Sequence, residues 1–180
     1  MLNVKKISEQ SEHAFLIEWF PGESDLISEM VYRFKSNRCP QAWLFYSRLF
    51  ANLLCDQVDI SQYDALVPLP GSKSNSVHAN IFAKNLSKIL GLPVLNALYK
   101  SPLAQPQKSK SAKERRQSTN VSDIQRLELF TKNETSNLKL IYVDDIMTTG
   151  FTYKRSRQAL QNKNQSLLVT LFFRPAAIQT

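Results

Sequence analysis

Asp144 and Asp145 stand side by side, and Thr148, Thr149, Gly150 and Thr152 follow directly after them. Adjacent carboxylates repel a bare phosphate but accept hydrogen bonds from sugar hydroxyls. Threonine hydroxyls offer the opposite chemistry, as donors, and a glycine among them lets an anion approach the backbone closely. A helix starting at this glycine would add unpaired N–H groups and the positive end of its dipole. The two patches together suit the two ends of a ribose 5-phosphate, with the diol at the acids and the phosphate at the Thr-Gly turn.

This placement needs a strand before the acids and a helix after the glycine. LKLIYVDD reads as a buried strand with Leu140 to Val143 as its apolar end, FTYKRSRQALQNK reads as a helix, and SLLVTLFFR reads as a closing strand. Strand, loop, helix and strand in that order make a βαβ unit and predict a parallel sheet. The acids then sit at the carboxyl edge, where open α/β sheets bind ligands. Upstream, HAFLIEWF is β-prone and stops at Pro21-Gly22. Ser24 or Asp25 can cap a helix through LISEMVYRFKS, and Pro40 opens a second helix with Trp43, Leu44, Leu49, Phe50, Leu53 and Leu54 on its apolar stripe. DALVPLPG is a short strand that Pro68, Pro70 and Gly71 must end. IFAKNLSKILG is a helix closed by Gly91, and PVLNALY is a further short strand.

The chain has 180 residues, with 23 Lys+Arg against 15 Asp+Glu, a net charge of +8. This length supports a core without staples. A basic balance attracts polyanions but does not choose among nucleic acid, anionic lipid and phosphorylated small molecules. Six basic residues fall in 100–120: Lys100, Lys108, Lys110, Lys113, Arg115 and Arg116, with Glu114 the one acid. That stretch reads as a long flexible loop, either a solvated charge run or a lid over an anion. Cys39 and Cys55 are too few for a disulfide framework or a four-Cys zinc site. No run has the length of a signal peptide or a membrane span, so a soluble cytoplasmic protein without membrane insertion is expected.

VDDIMTTG resembles the phosphoribosyl pyrophosphate (PRPP) motif of type I phosphoribosyltransferases, with Tyr142 where a smaller aliphatic is common. Across most of its length the chain resembles one branch, the ComF family of competence-associated proteins. MVYRFKSN, DALVPLP, the Gln107, Arg115 and Asn120 series, and the final FFR with Arg174 carry that likeness. The chain lacks the family's frequent N-terminal zinc module. It reads SNSVHANIFAK where an Arg-Gly-Phe-Asn-Gln type segment is usual, with Asn80 as a remnant.

The resemblance implies a Rossmann-like α/β phosphoribosyltransferase core, with a mostly parallel sheet flanked by helices and a small N-terminal β/α subdomain. Residues 1–60 would be a helical, hood-like segment without a zinc module, and residues 61–180 the core, with the flexible basic loop at 100–120. It further implies that Asp144 and Asp145 hold the ribose diol. Thr148, Thr149, Gly150 and Thr152 would cradle the 5-phosphate, and Pro70, Gly71, Ser72 and Lys73 would form the pyrophosphate loop. Arg115 is the preferred candidate to cover the leaving group, and His78 is a polar neighbour of the first loop rather than a catalytic group. Mg²⁺ would arrive with PRPP, with no dedicated protein cage and no zinc. Three functions follow: a phosphoribosyltransferase, a non-catalytic PRPP or nucleotide binder in DNA uptake, and a nucleic-acid binder using the basic loop. Single-stranded DNA, competence or recombination proteins and a second copy of the chain are the candidate macromolecular partners.

Overall fold

The computed structural model describes residues 1–20, 26–35, 40–71, 77–100, 124–126 and 135–175. In chain order the elements are β1 (Asn3–Ser8), β2 (Ser11–Glu18), α1 (Leu26–Lys35), α2 (Pro40–Cys55) and β3 (Ala65–Pro68). They continue as α3 (His78–Leu90), β4 (Leu98–Lys100), β5 (Ile124–Arg126), β6 (Leu140–Met147), α4 (Phe151–Leu160) and β7 (Ser166–Phe173). The main sheet has the order β1-β2-β7-β6-β3. β2, β7, β6 and β3 run parallel, and β1 joins the edge antiparallel to β2. The architecture is α/β with a mostly parallel sheet, and β6, α4 and β7 form the expected βαβ unit.

Side chains alternate across the strands and fill two cores. Leu66, Ile141, Val143, Leu167 and Val169 pack with Phe34 of α1, Trp43, Phe50 and Leu54 of α2, and Phe82 and Leu86 of α3. On the other side, Ala65, Val67, Leu140, Tyr142 and Leu168 pack with Tyr153 and Leu160 of α4. Helices therefore cover both faces. This explains why the central strands read as continuous apolar runs rather than as alternation. Phe50 and Phe82 are fully buried and meet edge to face, with centroids 5.4 Å apart, a favoured aromatic geometry. Gly91 ends α3 at φ 72°, and its N–H donates to the Ser87 carbonyl at 3.0 Å.

The N-terminal segment contains strands as well as helices. β1 is exposed along its whole length, so its sequence NVKKIS carries no burial pattern, and pairing with β2 is what makes it a strand. Residues 1–60 share both the sheet and the first core with residues 61–180. PVLNALY divides differently from expectation. Val94 makes a single bridge to Leu66, and β4 leaves the main sheet to pair antiparallel with β5. No helix among the described residues is long and apolar enough to cross a membrane.

Candidate functional site

β3 and β6 pair from Ala65↔Leu140 to Pro68↔Val143, after which the Leu69 N–H still donates to the Val143 carbonyl at 2.8 Å. β6 then runs on alone against β7, through Asp144↔Thr170, Ile146↔Phe172 and Met147↔Phe173. The sequence reading carried the strand through LKLIYVDD, to Asp145. Pairing with β7 extends it to Met147, so both acids lie on the strand, just past the end of β3. They remain at the carboxyl edge of the parallel strands, in the step left by the shorter neighbour.

Asp144, Thr148, Thr149, Gly150 and Thr152 surround one small cleft, whose walls also include Leu69, Tyr153 and Thr170. Gly150 makes the turn from β6 into α4. It adopts φ 70°, and a Cβ there would meet Met147 Cε at 3.0 Å. The Lys154 N–H bonds to the Gly150 carbonyl at 3.0 Å, and the Phe151 N–H points to Thr149 Oγ1 at 3.4 Å. Helix geometry leaves the next amides, those of Thr152 and Tyr153, without backbone acceptors. The first turn of α4 contains no acid to offset its positive end. This is a donor-rich turn suited to an anion.

Asp145 sits beside the cleft, with its N–H bonded to Asp144 Oδ1 at 2.9 Å. Burial of the Asp144 carboxyl, and then the neighbouring Asp145 charge, raise its pKa well above the ordinary 3.8. Lys35, the last residue of α1, pulls in the opposite direction. The site thus has an acidic wall facing a donor-rich turn, which is the pairing a polyhydroxy phosphate needs.

The remaining sequence-selected residues divide between two groups. Pro70 and Gly71 are half-buried immediately after Leu69. Ser72, Lys73, Gln107, Lys108, Lys110, Lys113, Arg115, Arg116 and Asn120 lie outside the described residues. His78 opens α3 half-buried, with its ring stacked on Trp43 at 6.1 Å and 10°. Sequence reasoning did not select Thr170, Tyr153 or Lys35. Thr170 is the lone hydroxyl in LLVTLFF, a detectable oddity in an otherwise apolar strand. Lys35 has no such signal, because only the packing of α1 brings its charge within reach of Asp144.

No protein-family model and no curated protein sequence matches the chain. Among solved structures, it is similar to the allosteric regulatory enzyme of purine biosynthesis, at 16% identity and a TM-score of 0.43. That match covers 74% of this chain, which spans about a quarter (25%) of the length of that enzyme. It is also similar to a purine phosphoribosyltransferase from Pyrococcus horikoshii Ot3, at 14% identity and a TM-score of 0.39. This second match covers 71% of the chain and 79% of that protein.

Proposed function

We propose that the chain binds PRPP and transfers its phosphoribosyl group to a nitrogen acceptor with release of pyrophosphate. The observation that carries this reading is the joint placement of Asp144 and the Thr148–Thr152 turn around one cleft at the carboxyl edge of the sheet. In this reading Asp144 and Asp145 accept hydrogen bonds from the ribose 2- and 3-hydroxyls. Thr148, Thr149, Thr152 and the free amides of α4 hold the 5-phosphate.

In the transfer, the acceptor nitrogen's lone pair forms a bond to the anomeric carbon. The bond to the pyrophosphate oxygen breaks with its electron pair, and the acceptor gives up a proton. The sugar passes through an oxocarbenium-like state. The paired carboxylates stabilise the positive charge that develops there, and holding both ends of the sugar orients the anomeric carbon for attack. Two carboxylates and several hydroxyls are hard oxygen donors, a set that fits Mg²⁺ shared with substrate phosphates and water. Bound Mg²⁺ would neutralise charge on the departing pyrophosphate.

The test is calorimetric titration of PRPP, with and without Mg²⁺, into wild type and Asp144→Asn/Asp145→Asn. Magnesium-dependent binding that is lost in the double variant is the expected result; no binding to wild type overturns the reading. Pyrophosphate release with a panel of bases and amines then tests the transfer step. Binding with silence across the panel would assign a PRPP-sensing role instead.

A further inference from the structure

A second, larger groove adjoins the cleft along the flank of α4. It has a volume of about 710 Å³ and has Met147, Thr149, Gly150 and Tyr153 in common with the cleft. It runs from that end to the β1–β2 turn, where Ile7, Ser8 and Ser11 form the opposite wall. That volume falls within the roughly 300–1,000 Å³ common for small-molecule sites.

The groove's chemistry is one-sided. Lys154, Arg157 and Lys163 line it, and among the described residues no carboxylate does so and none of the three cations has an ion-pair partner. Arg157 is fixed in place. Its Nη1 donates to Ser11 Oγ and its Nη2 to the Asn164 carbonyl at 2.9 Å, while Nε has no partner. Asn162, only 5% exposed, donates through Nδ2 to the Thr135 and Leu138 carbonyls, at 3.0 and 2.7 Å. Those bonds aim the amide rigidly, yet its Oδ1 is buried without a partner. A buried carbonyl oxygen left unpaired is costly. Among the described residues it has no partner, and Asn162 is one of the residues that line the groove.

We infer that this groove is a second nucleotide site, abutting the cleft but distinct from it. The phosphate would meet Lys154 beside the first turn of α4. The base would lie toward Gln158 and Gln161, whose exposed amides can pair with a base edge. Ile7 and Met147 supply apolar contact. A mononucleotide fits better than a polynucleotide strand, because the three cations that line the groove are few and lie within positions 154–163 beside one helix.

AMP is the probe, titrated by calorimetry into wild type, Lys154→Glu/Lys163→Glu and Asp144→Asn/Asp145→Asn. AMP affinity is expected to fall about tenfold or more in the lysine variant. It is expected to persist in the acid variant, whose changes lie in the cleft. If the charge reversals impair folding, Lys154→Ala/Lys163→Ala gives the same order of affinities with a smaller drop. The inference is overturned by absent AMP binding, by binding that the lysine changes leave untouched, or by binding lost in the acid variant. It is also overturned if an oligo-dT strand binds through these lysines and AMP does not. Because the acid variant isolates the two sites, this result is independent of PRPP binding.

Discussion

His13 Nε2 lies 2.8 Å from the hydroxyl of Thr170, which itself donates to the Phe172 carbonyl at 2.9 Å. A hydroxyl has one proton. With that proton on the Phe172 carbonyl, His13 must be the donor, which defines a neutral ring protonated at Nε2. Thr170 is a wall of the Asp144 cleft, so a buried histidine on β2 orients a site residue on β7.

Burial, and then Lys5, lower the His13 pKa from 6.5 to about 3. The unfolded chain therefore takes up a proton that the fold refuses within this window. The stability from neutral His13 is fully present above 6.5 and is lost as pH falls toward 3. Urea unfolding at pH 7, 5.5 and 4 should show a falling midpoint, and His13→Asn should flatten the trend. Thr170→Val leaves the ring N–H unpaired and should cost about 1–3 kcal/mol at pH 7.

Asp144 behaves in the opposite sense. Its folded pKa is raised, so the stability linked to its proton is full below the ordinary 3.8 and disappears as pH climbs through the higher folded value. At pH 7 the enclosed charge beside Asp145 opposes folding. Asp144→Asn should therefore melt above wild type at pH 7, with the gap closing toward pH 4 in thermal scans. The same variant should lose PRPP binding, a separation of stability from function at one residue.

Gly150→Ala places an L residue at φ 70° and a methyl against Met147 Cε. The left-handed conformation should cost about 1–2 kcal/mol, read as a lower denaturant midpoint. Any ligand phosphate at the turn should bind more weakly, because the turn that orients the first amides of α4 is disturbed.

Phe82→Ala tests the support of the site from behind. Phe82 is fully buried, 5.4 Å from Phe50 and 6.2 Å from Trp43 between ring centroids. Truncation should cost about 3–5 kcal/mol in chemical denaturation. It loosens α3, the helix that follows the loop after β3.

The helices and central strands were legible because their signals are local. Pro40, Gly91 and Gly150 mark starts and stops, apolar residues recur at helical spacing, and LIYV and SLLV are apolar runs. The pattern Asp-Asp, Thr-Thr-Gly, Thr was legible for the same reason, since its two chemistries are adjacent in the chain. β1 was not legible, because an all-exposed edge strand has no pattern of its own. The extension of β6 past Asp145 to Met147 was hidden as well, because it depends on β7 being a longer neighbour than β3.

By itself the sequence determined that two acids, three threonines and a glycine stand close together between a strand and a helix, and which segments would fold around them. These are matters of residue type and short-range spacing. Only the tertiary structure decided the order β1-β2-β7-β6-β3, the enclosure of Asp144 that raises its pKa, the approach of Lys35, and the bond from His13 to Thr170 across 157 positions of chain. Burial, field and hydrogen-bond partnership depend on distance in space, and the sheet brings together residues whose separation along the chain carries no trace of it.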